Sequence, residues 1–182
     1  DEKGYLAWGT SLDIAEAFNK VLPKDMPHLH QWLSERLLAK TREHLDHIKP
    51  VCDLSLLFSS LKDKGIIAGI ATADDYETTN LCLQKLGILN DIQFLGTADL
   101  YKKKPYPEVV EEFCKKFHLQ KEEVVIVGDT ITDMQLAKNS RARFGVGVLS
   151  GVGSYQELHQ LAHFVIPSVE YLIDGNERFI WE

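Results

Sequence analysis

From Val51 onward, short apolar runs alternate with amphipathic helical segments, and this alternation restricts the chain to few folds. The runs at 66–72 and 123–129 are rich in Ile and Val, as expected for strands that are buried on both faces. Weaker strand patterns follow at 92–97, 144–150 and 164–167. The pattern predicts an α/β fold with a doubly wound parallel sheet, because each crossover between parallel strands needs a covering helix.

The first fifty residues have a different character, because they contain two helical segments and no strand pattern. Residues 12–22 and 28–48 carry apolar side chains at helical spacing, and Pro23 and Pro27 separate them. Pro50 ends this region. We therefore predict a small helical cap region at 1–50 and an α/β core at 51–182.

The composition argues against several classes of function. A net charge of −7 disfavours nucleic acid as a partner, because binding to a phosphate backbone needs a basic face. No apolar run is long enough to span a bilayer, so no membrane association is expected. Cys52, Cys82 and Cys114 have no paired spacing, which favours reduced residues in a cytoplasmic protein. The oligomeric state cannot be predicted from the sequence.

Two acids follow the second strong apolar run, in the stretch VVIVGDTITDM at 124–134. Ligands of such folds bind beyond the carboxyl ends of the strands, where Asp129 is placed. Asp133 follows one helical turn later and can face the same point. Two neighbouring carboxylates would raise each other's pKa, and a bound Mg²⁺ would relieve their repulsion. With equal weight, Asp129 could instead cap the next helix while Asp133 is solvated.

Two further side chains are candidates for phosphate binding. Thr72 ends the first apolar run, where its hydroxyl and the following amides could hold a phosphate group. A Thr before a helix is, however, usually an N-cap. In the string YKKKPYPE, Lys104 precedes Pro105, which holds its backbone extended and lets its ammonium neutralise a phosphate. We expect Lys102 and Lys103 to be solvated surface charges.

The chain resembles the haloacid dehalogenase-like (HAD) hydrolase superfamily. The resemblance rests on three features in this order: a Thr at a strand end, a Lys-Pro-x-Pro string and a Gly-Asp-x-x-x-Asp string. Within this superfamily, the chain is similar to the phosphoglycolate phosphatase-like proteins. The resemblance covers residues 51–172 and includes LKDKGIIAGIAT and the late VGVLSG. It implies a HAD-like Rossmannoid core, a small helical cap that closes over the active site, and Mg²⁺ as cofactor.

The resemblance also implies roles for the candidate residues. Thr72 would hold the transferring phosphoryl group, and Lys104 would neutralise the nucleophile and the phosphate. Asp129 would be the direct Mg²⁺ ligand and Asp133 the supporting acid of the metal loop. In the cap, three large side chains are candidates for lining the leaving-group pocket, although large residues on helices are usually core residues: Trp8, His30 and Trp32.

One element of the family is missing, because no D-x-D-G-T motif with its nucleophilic Asp occurs in the sequence. We favour the explanation that this motif and the first core strand lie upstream of Asp1. A second explanation is that DEKGYL is a degenerate copy with Asp1 as nucleophile, but Lys3 could not act as the same acid/base. A third is a pseudo-enzyme or a swapped dimer. Without the strand, two half-sheets with open edges would remain.

The favoured function is therefore a Mg²⁺-dependent phosphomonoester hydrolase that forms an aspartyl-phosphate and acts on a small phosphorylated metabolite. A catalytically inactive binding or regulatory protein and a sugar phosphomutase are the alternatives. A dehalogenase is disfavoured, because a metal-free relative has no use for the second acid. The 182-residue chain alone is predicted to be inactive.

Overall fold

The structure, a computed structural model, describes Gly4, residues 9–22 and residues 26–182. The proposals made for Asp1, Lys3 and Trp8 therefore lie outside the described residues. In the described part, seven helices and five strands are present, and all three strand ladders are parallel. The prediction of an α/β fold built on parallel strands is thereby confirmed.

Helices and strands alternate from residue 54 onward, as the periodicity predicted. The helices are α1 (Ser11–Asn19), α2 (Leu29–Glu43), α3 (Leu54–Asp63), α4 (Tyr76–Leu86), α5 (Glu108–Phe117), α6 (Ile131–Ser140) and α7 (Tyr155–Leu158). The strands are β1 (Gly69–Ala71), β2 (Phe94–Gly96), β3 (Val125–Gly128), β4 (Phe144–Val148) and β5 (Phe164–Ile166). Single turns of 3₁₀ helix lie at 45–47, 89–91, 121–123 and 169–172.

The chain forms two compact units. The first comprises 1–49 and 67–103 and contains the two-stranded sheet β1–β2. The second comprises 50–66 and 104–182 and contains the three-stranded sheet β3–β4–β5. The predicted boundary at residue 50 between a helical cap and an α/β core stays a prediction.

In the first unit, α1 begins with a capping box that buries a carboxylate. The backbone N–H and the hydroxyl of Thr10 both donate to Asp13 Oδ2, at 2.9 Å each. The ammonium of Lys103 binds the other oxygen, Oδ1. Burial would raise the pKa of Asp13, but the hydrogen bonds from Lys103 and Thr10 outweigh it and hold this pKa below its ordinary value. The prediction that Lys103 is only a solvated charge was therefore wrong.

The apolar stripes predicted on the first two helices are only partly buried. Phe18 of α1 is 49% exposed and Trp32 of α2 is 55% exposed. The residues buried deepest on these helices are Ala15 and Leu29. Because Trp32 is not part of a core, the usual structural role of a large helical side chain does not account for it.

In the second unit, a well-packed core forms between the sheet and α6. Met134 and Leu136 of α6, Val146 of β4 and Leu158 of α7 are completely buried. The ladder between β3 and β4 runs from Val125↔Phe144 to Gly128↔Gly147. This register places the segments that follow β3 and β4 side by side at the carboxyl edge of the sheet. Among the described residues, no helix combines the length and apolar character needed to cross a membrane.

The prediction that β1 and β3 are buried on both faces was wrong for the described chain. Val127 in β3 is 36% exposed, and Gly69 in β1 is exposed. The reason is that each strand is an edge strand. Within the described ranges, β1 pairs only with β2 and β3 pairs only with β4.

The Lys103–Asp13 ion pair leads to a stability prediction. We expect Asp13→Asn to lower the free energy of unfolding by about 1 kcal/mol at neutral pH, because it removes a charged hydrogen bond. The loss is less than that of a fully buried pair, since the Lys103 side chain is 45% exposed. Urea denaturation of parent and variant measures the difference.

The same difference should depend on pH with a defined sign. Because the folded-state pKa of Asp13 is lowered, its contribution is fully present above the unfolded-state pKa of about 3.9. It is lost as the pH falls through the folded-state pKa, so parent and variant should converge in acid. The control is Asp46→Asn, which removes an exposed ion pair with Lys85 in the same unit. Equal losses of unfolding free energy in the two variants would contradict the stabilising role of the Asp13 carboxylate.

Candidate functional site

The segment that follows β3 carries both predicted metal-site acids. β3 ends at Gly128, and α6 begins at Ile131 with Thr130 as its N-cap. The Thr130 hydroxyl accepts a hydrogen bond from the backbone N–H of Asp133, at 3.3 Å. Since Thr130 occupies the cap position, the alternative that Asp129 caps the helix does not hold. Asp129 is left in the connection between strand and helix.

The carboxylate of Asp133 is buried and binds three donors. Its Oδ2 accepts from the backbone N–H of Thr130 at 3.0 Å and from the Thr130 hydroxyl at 2.6 Å. Its Oδ1 accepts from the ammonium of Lys104 at 2.7 Å. These contacts offset the cost of removing a carboxylate from water. The alternative of a solvated Asp133 is thus excluded, and the structure brings Lys104 and Asp133 together.

Gly128 provides the space in which the Asp133 carboxylate lies. A Cβ atom at position 128 would lie 2.3 Å from Asp133 Cγ and 2.5 Å from its Oδ2. Such distances are far inside van der Waals contact, so any other residue would displace the carboxylate. No role was predicted for Gly128. The sequence signal for its role was the lack of a side chain directly before Asp129.

Asp129 is half-buried and is held from the opposite side by the segment that follows β4. Its Oδ2 accepts from the backbone N–H of Val152 at 2.9 Å. Its carbonyl oxygen accepts from the backbone N–H of Gly153, also at 2.9 Å. No described residue donates a hydrogen bond to Asp129 Oδ1. This oxygen can therefore accept a further ligand.

The loop that carries Lys104 is fixed to α6 at two points. Lys104 binds Asp133 in the first turn of that helix, and Asn139 Nδ2 donates to the carbonyl oxygen of Pro105 at 2.9 Å near its end. The peptide bond between Lys104 and Pro105 is cis. An ammonium has three N–H donors, of which Asp133 takes one. Sequence reasoning missed Asn139, since nothing local marks it as a partner of the loop.

Thr72 lies in the first unit, directly after β1. Its backbone N–H donates to Gly96 O at 2.9 Å, which extends the ladder with β2. Its hydroxyl donates to Asp74 Oδ2 at 3.2 Å and accepts from the Asp74 N–H at 3.1 Å. The N-cap of α4 is Asp75, so Thr72 is not that cap. Its role in phosphate binding stays a prediction.

The donor set at Asp129 fits a magnesium ion better than a structural metal centre. In the part of the chain that the structure describes, no group of three or more His, Cys, Asp or Glu residues could hold a metal ion. Mg²⁺ needs fewer protein ligands, because it keeps several waters and takes oxygens from a substrate phosphate. The open Oδ1 of Asp129 can supply such a single protein oxygen.

The family of the chain follows from a direct comparison. Residues 6–146 match the family model described as haloacid dehalogenase-like hydrolase. The chain belongs to this family. The motifs at Lys104 and at Asp129 lie within the matched range.

Individual relatives agree with the HAD assignment. A curated Clostridium perfringens (strain 13 / Type A) protein that carries the name pyrophosphatase PpaX is 29% identical over 101 residues, which cover 55% of this chain and 47% of the relative. The match thus spans about half of that relative's length. Among solved structures, a hydrolase from Pseudomonas syringae is 25% identical with a TM-score of 0.73, covering 86% of this chain and 72% of that one.

A second solved structure supports the fold alone. It is a predicted phosphoglycolate phosphatase from Haemophilus somnus 129PT, with a TM-score of 0.71 and 18% identity. The match covers 87% of this chain and 72% of that chain. This member of the haloacid dehalogenase-like hydrolase family therefore shares its architecture with a protein whose name includes phosphatase.

The close packing of Gly128 on Asp133 can be tested. We expect Gly128→Ala to lower the free energy of unfolding by about 1–3 kcal/mol, because the added methyl group must displace a buried, paired carboxylate. The control is Gly175→Ala, since a Cβ at Gly175 would meet no atom within 4 Å. Guanidinium denaturation of both variants gives the two values. A Gly128→Ala variant as stable as the control would show that Asp133 does not lie as described.

Proposed function

We propose that this HAD hydrolase is a Mg²⁺-dependent phosphomonoesterase of the phosphoglycolate phosphatase-like type, acting on a small phosphorylated metabolite. The observation that carries the proposal is the 2.7 Å ion pair between Lys104 and Asp133, which fixes the lysine to the first turn of the helix that follows Asp129. A half-buried lysine held by the first turn of a capped helix, together with an acid that has one open oxygen, is suited to binding an anion and a cation.

Lys104 is the electrostatic centre of the proposed mechanism. Asp133 fixes one N–H of the ammonium and leaves two donors for the nucleophile and the phosphoryl oxygens. The Lys104 side chain is only 17% exposed, so its charge is weakly screened by water. A fixed positive charge of this kind stabilises negative charge that develops on the phosphoryl oxygens in the transition state.

We propose a metal-binding role for Asp129 and a phosphate-binding role for Thr72. Asp129 would hold Mg²⁺ through Oδ1, and the bound ion supplies positive charge to the phosphoryl oxygens and the nucleophile. Asp133 would support this arrangement by orienting Lys104. The Thr72 hydroxyl, at the carboxyl end of β1, would donate to a phosphoryl oxygen in place of Asp74.

The proposal includes a nucleophilic aspartate on a segment that precedes Asp1, because the sequence contains no D-x-D-G-T motif. The unpaired edges of β1 and β3 in the described ranges support it, since each edge can accept a further strand. The carboxylate would attack phosphorus in line and release the alcohol. Water would then hydrolyse the aspartyl-phosphate to inorganic phosphate.

The comparisons and the cysteines give further support. PpaX and the Haemophilus somnus protein carry the names of enzymes that act on phosphate compounds. All three cysteines of the chain are free, and burial raises the pKa of each thiol, which keeps them protonated. Free thiols favour a reducing compartment, so we propose a cytoplasmic location.

A hydrolysis assay tests the function. Protein from the complete reading frame should hydrolyse p-nitrophenyl phosphate only when Mg²⁺ is present. We expect Asp129→Ala to abolish turnover, and Lys104→Met to lower kcat by about 100- to 1,000-fold, the usual cost of one lost oxyanion donor. The control is Lys115→Met, which removes a lysine that is 77% exposed in the same unit and should keep the parental rate.

Three outcomes of this assay would change the proposal. Turnover that survives Asp129→Ala would exclude the metal-dependent mechanism. Mg²⁺-dependent turnover by the 182-residue chain alone would show that DEKGYL supplies the nucleophile. With a sugar phosphate as substrate, an isomeric sugar phosphate instead of inorganic phosphate would identify a mutase.

A further inference from the structure

The connection between β4 and α7 is a short loop with two glycines, residues 149–153 (LSGVG), here termed the glycine loop. Both of its ends are fixed. Leu149 N–H donates to Ile166 O of β5 at 3.0 Å. After the loop, Ser154 forms a capping box with Glu157, whose Oε2 accepts from the Ser154 N–H and hydroxyl. The path of the loop is thus determined by its neighbours.

The glycine loop packs directly against Asp129. The Val152 N–H donates to Asp129 Oδ2, and the Gly153 N–H donates to the Asp129 carbonyl. A Cβ at Gly151 would lie 2.0 Å from Asp129 Oδ2, and a Cβ at Gly153 would lie 2.2 Å from its carbonyl oxygen. Main-chain atoms of the glycine loop therefore lie against Oδ2, while no described residue hydrogen-bonds to Oδ1.

The two glycines are needed for space and not for an unusual backbone conformation. The glycines with positive φ in the described residues are Gly65 and Gly87. Gly151 and Gly153 have ordinary φ values, which any residue could adopt. A side chain at either position would overlap with the atoms of Asp129.

We propose that the glycine loop is a selectivity element of the metal site, which restricts Asp129 to coordination through Oδ1 and thereby favours Mg²⁺ over Ca²⁺. The inference rests on the proposed function, because it assigns the cation to Asp129. Val152 and Gly151 act as positioning residues, through the carboxylate that they hold.

The chemistry of the two cations explains the direction of the effect. Mg²⁺ takes six ligands in a near-ideal octahedron and is satisfied by single carboxylate oxygens and waters. Ca²⁺ takes six to eight oxygens and gains from carboxylates that bind with both oxygens. A carboxylate whose Oδ2 accepts an amide hydrogen bond and lies against main chain has only Oδ1 open on both counts, so coordination through both oxygens would cost the amide bond. Such a ligand penalises Ca²⁺ more than Mg²⁺.

Val152→Pro tests this directly, because proline lacks the N–H, and Val152→Ala is the matched control that keeps it. Isothermal titration calorimetry with MgCl₂ and, separately, CaCl₂ on the complete protein gives both dissociation constants. We expect Val152→Pro to weaken Mg²⁺ binding about tenfold, a typical effect of losing a partner of a metal ligand. The preference for Mg²⁺ over Ca²⁺ should fall by a similar factor, while Val152→Ala keeps the parental ratio.

A second pair of variants repeats the comparison through space instead of hydrogen bonding. Gly151→Ala should lower the Mg²⁺ preference, and Gly175→Ala should not, since a Cβ at Gly175 would meet nothing within 4 Å. If circular dichroism shows that Val152→Pro does not fold, this pair decides. A parental Mg²⁺ to Ca²⁺ ratio in Gly151→Ala, or in a folded Val152→Pro, would overturn the proposal.

Hydrogen exchange on the unsubstituted, metal-free protein adds a readout that needs no variant. Slow exchange of the Val152 amide supports its bond to Asp129, and exchange at the rate of an unbonded amide would overturn it. The variant Asp129→Asn distinguishes failure of the proposed function from failure of the proposed role of the glycine loop. Unchanged Mg²⁺ binding in that variant would remove the proposed function itself. Loss of Mg²⁺ binding there, with a parental ratio in Val152→Pro, would remove only the role of the glycine loop.

Discussion

Three features of the second unit are determined by the buried carboxylate of Asp133. An uncompensated charge in that position would be very costly, so each of its oxygens needs donors. Thr130 supplies two of them and in doing so starts α6, and Lys104 supplies the third. Gly128 must lack a side chain for the carboxylate to reach that place. The start of the helix, the bare glycine and the position of the lysine are thus consequences of one burial.

The first unit repeats this arrangement with different residues. Thr10 and Asp13 form a Thr-x-x-Asp capping box, as Thr130 and Asp133 do. In both boxes the threonine donates to Oδ2 of the aspartate and a lysine donates to Oδ1. The two lysines, Lys103 and Lys104, are consecutive in the sequence. One of the three chain crossings between the units falls between these two lysines. Each lysine is thus paired with an acid of its own unit, Lys103 with Asp13 and Lys104 with Asp133.

The parts of the structure that could be predicted are those that local sequence determines. Apolar periodicity identified the strands and helices, and the position of Asp129 after β3 followed from the strand pattern. The partners of Lys103 and Lys104 could not be predicted, because they lie 90 and 29 residues away in sequence. The exposure of Val127 was missed for a related reason. An apolar run does not reveal whether a strand has one neighbour or two, and β3 pairs only with β4 in the described residues.

Strand register links the core of the second unit to the geometry at Asp129. Gly147 of β4 pairs with Gly128 of β3, so the glycine loop that follows β4 comes beside the acid that follows β3. A Cβ at Gly147 would lie 3.0 Å from Leu158 Cβ, so the completely buried Leu158 packs directly against the bare backbone of β4. A slip of one residue would move every side chain of β4 to the other face and would bring a different amide to Asp129. The orientation of the carboxylate therefore depends on the packing of Leu158, although this residue carries no chemistry of its own.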